Sequence, residues 1–102
     1  MALRIITKKR YDNKVKKLLE YLLLNWYDSV ANDIISKLDH TIKLLSKQEK
    51  IGSRVKGFND TRAILITKHN RLYYRIEKDN LIILNLLDTR RNPKSNPFNK
   101  FK

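Results

Sequence analysis

The stretch RLYYRIEKDNLIILNLLD, residues 71–88, decides the predicted fold of this chain. Apolar side chains at 72, 74 and 76 alternate with residues 73, 75 and 77 of the other face, which is the two-residue period of a strand with one buried face. Residues 81–88 are almost continuously apolar, as is typical of a strand inside a sheet, and the polar triplet 78–80 has the length of a hairpin turn. The pattern predicts two antiparallel strands, with Tyr74 pointing into the core.

The second of these strands also places Leu84 in the core. We therefore expect Leu84→Asp to unfold the domain, because the substitution buries an unpaired charge.

Upstream of the hairpin, residues 62–67 predict a further strand, joined to the hairpin by a short polar turn. The segment 51–60 contains both glycines of the protein and predicts a loop.

Two amphipathic helices are predicted nearer the start of the chain. Their apolar residues recur in steps of three and four, which places them on one face of each helix. The first stripe is Tyr11, Val15, Leu18, Leu19, Leu22 and Trp26, and the second is Val30, Ile34, Ile35, Leu38, Ile42 and Leu45. The interruption at 25–29 is polar, and Asp28 or Ser29 is expected to cap the second helix. Trp26 is expected in the core or in an interface rather than in a ligand site.

The β-branched residues 3–7 predict an opening strand. The predicted fold class is therefore α+β, in the order β-α-α-β-β-β. A two-helix hairpin packs on one face of a mostly antiparallel sheet, and the other face is expected to be free for function. Residues 1–93 form a single predicted domain, followed by a basic tail over 94–102.

Charge is the strongest compositional signal. The 102 residues include 23 lysines and arginines against 10 acidic residues, which gives a formal net charge of +13. The hydrophobic fraction of 41% argues against simple disorder, so we expect a folded domain whose partners are anions.

Other classes of protein are disfavoured by what the sequence lacks. With no cysteine, a disulfide scaffold and a cysteine-ligated metal site are excluded. The only histidines, His40 and His69, have no second ligand at a recognisable spacing, so neither a metal nor another cofactor is expected. No apolar run reaches the roughly 20 residues of a membrane span. We expect a cytoplasmic protein with no membrane partner and no small-molecule substrate.

Arginines gather on the predicted strands and at their ends. They are Arg62, Arg71, Arg75, Arg90 and Arg91, joined by Arg54 and Lys56 from the loop. The planar guanidinium suits phosphate, and a basic stripe beside an aromatic residue is typical of a nucleic-acid binder. Tyr73 shares the Arg75 face of its strand, where it either stacks on a base or serves as an ordinary packing residue.

The chain resembles the RelE/ParE superfamily of toxins from bacterial type II toxin–antitoxin modules. The resemblance rests on the predicted element order, the run at 71–76 with the apolar strand after it, and the signature Asp88-Thr89-Arg90-Arg91-Asn92-Pro93. The resemblance spans residues 3–93. It implies one of two activities: RelE-like members cleave mRNA in the ribosomal A site without a metal, whereas ParE-like members block DNA gyrase and cut no RNA.

The resemblance also implies roles for particular residues. Arg62, Arg71 and Arg90 match basic residues that RelE-like enzymes use to stabilise charge on the reacting phosphate. Arg54, Lys56, Tyr73, Arg75 and Arg91 are then expected to contact the nucleic acid.

Two departures from the RelE-like pattern keep other activities open. Ile64 stands where a second basic residue is expected, and no tyrosine or histidine follows Tyr74. Gyrase inhibition, a degenerate toxin that only binds antitoxin, and a generic RNA-binding module therefore remain alternatives to mRNA cleavage. The toxin interpretations imply a cognate antitoxin whose acidic or amphipathic segment covers the basic face or the helical hairpin.

Overall fold

The computed structural model describes residues 2–90. Its elements are β1 (Arg4–Thr7), α1 (Lys9–Asn25), α2 (Asp28–Lys47), β2 (Ser53–Arg54), β3 (Thr61–Thr67), β4 (Asn70–Glu77) and β5 (Asn80–Asp88). The predicted α+β order is confirmed, with one addition. The two-residue strand β2 lies within the predicted loop 51–60, where it is too short to produce a sequence period.

The five strands form one mixed sheet in the order β1-β5-β4-β3-β2. The pairs β2–β3, β3–β4 and β4–β5 are antiparallel, and β1 lies parallel to β5. A parallel pair needs a long crossover connection, and here the helical hairpin lies between β1 and the antiparallel strands in sequence. The most apolar strand, β5, consequently sits inside the sheet, as predicted.

The core lies between the two helices and one face of the sheet. Leu72 and Tyr74 of β4, Leu81 and Ile83 of β5, and Leu45 of α2 are fully buried there. The predicted place of Tyr74 in the core is confirmed.

The prediction that Leu84 lies in the core is wrong. The pairing of β4 with β5 shifts by one residue, because Tyr73 lies opposite Asn85 while Tyr74 lies opposite Ile83. Leu84 is the extra residue of this bulge, and it is only half-buried. Ile83, its neighbour, takes the fully buried position.

The second face of the sheet is also less open than expected. Side chains directly opposite one another across strands point to the same face, so Tyr73 shares this face with Asn85, and Arg75 shares it with Ile82. Tyr73, Ile82 and Asn85 each expose 6% or less of their surface. The centre of the face is closed, and only its margins are open to a partner.

The helical hairpin departs from prediction at its turn. Tyr27 is the N-cap residue of α2 and makes no side-chain capping hydrogen bond, so neither Asp28 nor Ser29 caps the helix. Asp28 instead occupies the first turn, where a carboxylate interacts favourably with the helix dipole. Trp26 is 57% exposed, which excludes it from the core and leaves the alternative of an interface.

Candidate nucleic-acid interface

A groove of about 620 Å³ lies at the β2 edge of the sheet, below the loop that joins β2 to β3. Four cationic side chains contribute to its lining: Lys50, Arg54, Lys56 and Arg62. Glu49, Asp60 and Phe58 lie in the same lining. We call this feature the basic groove.

The basic groove contains a pair of like charges held side by side. Arg54 of β2 lies directly opposite Arg62 of β3. Like charges in directly opposed positions destabilise a sheet, and their repulsion is relieved when an anion binds between them. The register therefore creates a site that favours a phosphate.

The loop at 55–60 closes one side of the groove. It turns at Gly57 and Asp60, whose φ angles of 83° and 61° lie in the left-handed region. The Val55 N–H donates to the Thr61 carbonyl oxygen at 3.0 Å, and the Phe58 N–H donates to the Val55 carbonyl oxygen at 3.2 Å. These bonds fix the loop that carries Lys56.

Arg62 is fixed by backbone carbonyls. Its Nη1 donates to the carbonyl oxygens of Gly52 at 2.7 Å and Lys50 at 3.3 Å. The guanidinium is therefore oriented before any ligand arrives, and it also holds the segment that leads into β2.

Tyr74 anchors the same segment from inside the core. Its hydroxyl donates to the Glu49 carbonyl oxygen at 2.7 Å and accepts from the Gly52 N–H at 2.9 Å. Burial raises the pKa of Tyr74, an effect that the Gly52 hydrogen bond and the charge of Arg62 only partly oppose. The phenol therefore stays protonated and keeps donating at neutral pH.

The other predicted strand arginines lie on the opposite face of the sheet from Arg62. Arg62 pairs with Tyr74, whose side chain is in the core, whereas Arg71 pairs with Leu65 and Arg75 with Thr61 on the second face. Arg71 is exposed at the margin of that face. The Arg75 Nη2 pairs with Glu77 at 3.2 Å, while its buried Nε has no hydrogen-bond partner among the residues that the structure describes.

Tyr73 does not provide the exposed stacking surface that one prediction required. Its side chain is 4% exposed. No face of the ring is open to a base, which agrees with the alternative prediction of a packing residue.

Arg90 lies at the far end of the sheet from the basic groove. Asp88, two residues before Arg90, pairs with Asn70 of β4. Asn70 is four residues from Tyr74, the strand partner of Arg62, and four residues span about 13 Å along a strand. The Arg90 guanidinium donates to Asp88 at 2.8 and 3.0 Å, and its backbone N–H donates at 2.8 Å. Arg62, Arg71 and Arg90 thus do not converge on one point, and Arg91 lies outside the described residues.

The Asp88–Arg90 pair gives a pH-dependent prediction. The Arg90 side-chain hydrogen bond is the largest cause that lowers the pKa of Asp88 to about 2, from 3.8. A carboxyl whose pKa is lowered on folding contributes stability above its unfolded pKa, and the contribution disappears as the pH falls through the folded value. We expect the free energy of unfolding to fall between about pH 4 and pH 2.

Urea denaturation at stepped pH measures this effect. Asp88→Asn should lower stability at neutral pH, and its difference from wild type should shrink to a small remainder by about pH 2. Asp33→Asn removes an exposed helical ion pair and serves as the control. A difference between wild type and Asp88→Asn that persists unchanged at the lowest pH would contradict the assignment.

Within residues 2–90, no group of three histidine, cysteine, aspartate or glutamate side chains could hold a metal ion. No helix in the same range is long and apolar enough to cross a membrane.

Sequence reasoning identified Arg54, Lys56 and Arg62 but missed Lys50, Glu49 and Asp60. These three lie in irregular segments, where no period marks which side chains share a surface. The anchoring role of Tyr74 was missed too. The sequence offered no signal for it: only the structure shows that Gly52 lacks a left-handed backbone and that a Cβ there would meet the Tyr74 ring.

A sequence profile for the family described as "ParE toxin of type II toxin-antitoxin system, parDE" matches residues 5–93. The chain belongs to this family. It is therefore the toxin component of a type II toxin–antitoxin module, and an antitoxin is its partner. Among curated proteins, none matches the toxin's sequence.

Solved structures share the fold of the toxin. A chain of the chromosomal ParDE TA system from P. aeruginosa has a TM-score of 0.71 at 10% identity, over 85% of this chain and 96% of that one. The isolated E. coli RelE toxin has a TM-score of 0.56 at 17% identity, over 89% and 88%. The archaeal RelE-RelB complex from Pyrococcus horikoshii gives 0.53 at 12% identity, over 90% and 100%. At these identities the likeness establishes the fold alone.

Proposed function

We propose that the toxin arrests growth by cleaving mRNA on the ribosome, and that the basic groove binds the phosphodiester that is cut. The observation that carries the proposal is the cross-strand pair Arg54 and Arg62, held side by side in a groove that Lys50 and Lys56 also line. Such an arrangement favours a bound phosphate, and it stabilises further negative charge as it develops on that phosphate.

The proposed reaction uses the RNA itself as the nucleophile. The 2′-hydroxyl oxygen forms a bond to the adjacent phosphorus, and the bond from phosphorus to the 5′-oxygen of the next nucleotide breaks. The products are a 2′,3′-cyclic phosphate and a 5′-hydroxyl, so the 2′-hydroxyl loses a proton and the leaving 5′-oxygen gains one. The carboxylates Glu49 and Asp60 line the groove and are the candidates to accept the first proton. The ammonium groups of Lys50 and Lys56 line the same groove and are the candidates to donate the second proton to the leaving 5′-oxygen.

Arg62 is the proposed catalytic arginine. Its Nη1 is held by two carbonyl oxygens, so the cation needs no reorganisation as charge develops. Arg71 lies on the other face of the sheet, and Arg90 lies at its far end. We assign Arg71, which is exposed and makes no ion pair within residues 2–90, to electrostatic attraction of ribosomal RNA, which requires no convergence on one phosphate. Arg75 and Arg90 are each paired with a carboxylate and are assigned no role in RNA binding.

The antitoxin is proposed to neutralise this site through charge. A chain with a net charge of +13 is drawn to acidic partners. An acidic antitoxin segment in the basic groove would compete directly with RNA.

Gyrase inhibition is the second candidate function. The observation in its favour is the match to the ParE profile over residues 5–93. It would use the surface of the toxin and require no chemistry in the groove.

Toeprinting on a defined mRNA in a reconstituted translation reaction tests the proposal. We expect cleavage in the ribosomal A site and none on the same mRNA without ribosomes. A gyrase supercoiling assay with the same preparation provides the other arm. Intact mRNA together with blocked supercoiling would overturn the proposal in favour of gyrase inhibition.

A further inference from the structure

The tip of the helical hairpin exposes large apolar side chains on every side. Leu24 and Tyr27 are more than 80% exposed, and three neighbours are more than half exposed: Tyr21, Leu23 and Trp26. We call these five residues the hairpin tip. A helical turn that is apolar all round is normally buried, and in the last turn of α1 only Leu22 is buried. The hairpin tip therefore has the character of a surface that a protein partner covers.

Charge near the hairpin tip differs from charge elsewhere in the chain. Residues 18–36 contain no lysine or arginine, although the whole chain has 23 of them, and they include Glu20, Asp28 and Asp33. Arg90, which lies close enough to Tyr21 to interact with it, is itself paired with Asp88. An RNA ligand is thus disfavoured at the hairpin tip.

The same charge distribution favours a second copy of the chain. The hairpin tip precedes α2, whose 20 residues span about 30 Å, and Lys50 of the basic groove follows its other end. When two copies meet at their tips, their basic grooves lie far beyond the Debye length of about 10 Å at moderate salt. The approach brings together a surface poor in cations.

The available area is suited to a reversible dimer. Large aromatic side chains bury about 150–250 Å² each, so five side chains exposed by more than half offer on the order of 500–600 Å² per copy. Standard stable interfaces bury about 800 Å² per partner. A tip-to-tip dimer would therefore bury less surface than a permanent one.

We propose that the hairpin tip is a self-association surface, at which two copies of the toxin pair about a two-fold axis. The proposal does not rest on the proposed reaction in the basic groove. It requires only that the apolar side chains of one hairpin tip pack against those of another.

Analytical ultracentrifugation of the full chain tests the proposal. We expect twice the mass of one chain at high concentration, and association that persists when salt rises from about 50 to about 500 mM, because the contact is apolar and the basic grooves lie beyond the Debye length. Trp26 is the only tryptophan, so its emission should shift to shorter wavelength as the dimer forms. Leu24→Lys should weaken association at least tenfold, whereas Leu65→Lys, at an exposed position on β3, should not.

Three results would overturn the proposal. The first is a single-chain mass at every concentration, which would leave the antitoxin as the occupant. The second is association that salt or nuclease abolishes, which would indicate bridging by RNA. The third is a dimer that Leu24→Lys leaves intact or that does not change the Trp26 emission, which would place the interface elsewhere.

Discussion

Replacing Ile83 with aspartate is expected to leave the toxin unfolded at neutral pH. Ile83 is fully buried in the core, and its backbone carbonyl accepts from the Lys8 N–H at 2.9 Å. Deleting a buried isoleucine side chain costs about 2–5 kcal/mol, and burying an unpaired carboxylate costs several more. The sum is comparable with the whole stability of a small domain, about 5–15 kcal/mol.

Leu84→Asp is the matched control, one residue along the same strand. Leu84 lies at the bulge and is half-buried, so its variant should remain folded and melt cooperatively at a reduced temperature. Thermal denaturation followed by circular dichroism distinguishes the two variants. If Ile83→Asp stays folded while Leu84→Asp unfolds, the result would contradict the structure and would place Leu84 in the core, as the sequence pattern predicts.

Gly52→Ala is expected to destabilise the toxin by about 2–5 kcal/mol, through overpacking and the loss of a buried hydrogen bond. A Cβ at Gly52 would collide with Oη and Cε1 of Tyr74 and lie 3.0 Å from the Ala63 carbonyl oxygen. Tyr74 is fully buried and has no room to retreat. The substitution would push the segment at 49–52 away from the sheet and move the lining of the basic groove.

A double-mutant cycle with Tyr74→Phe separates the collision from the lost hydrogen bonds. The single change Tyr74→Phe should cost about 1–3 kcal/mol, because the buried Gly52 N–H loses its acceptor. In the double variant the colliding hydroxyl is absent, so its cost should be less than the sum of the two single changes. Ser53→Ala, at an exposed neighbour, should change little. Equal urea midpoints for Gly52→Ala and Ser53→Ala would contradict the packing argument.

The fold could be predicted where the spacing of apolar residues matched the period of the helix or strand that forms. The alternation through residues 72–77 identified the face of β4 that packs into the core. The helical stripes identified most of the residues that face the core, but their members Ile35 and Trp26 are exposed. The same reasoning failed at Leu84, because an almost unbroken apolar run gives no alternation by which a bulge could be recognised. It left two interpretations open at Tyr73, because alternation assigns a side chain to a face of the sheet and does not show whether that face is covered.

The site could be predicted in part. Arg54, Lys56 and Arg62 were recognised from charge, and β-pairing then placed Arg54 beside Arg62. The sequence could not show that Arg71 and Arg90 lie away from the basic groove, because spacing along the chain does not show which face or end of the sheet a residue occupies. The exposure of Trp26 was missed because it continues the apolar stripe of α1 beyond the last residue of the helix.

The most direct test of the proposed site is a comparison of two double variants in the toeprinting reaction. Arg54→Ala/Lys56→Ala removes two cations that line the basic groove, and neither side chain makes an ion pair within residues 2–90. Lys37→Ala/Lys43→Ala removes the same charge from the exposed surface of α2 and serves as the matched control. We expect the first variant to lose A-site cleavage and the second to retain it. The mRNA fragment that the second variant produces should end in a 2′,3′-cyclic phosphate. Equal cleavage by both variants would contradict the assignment of the basic groove as the site of phosphate chemistry.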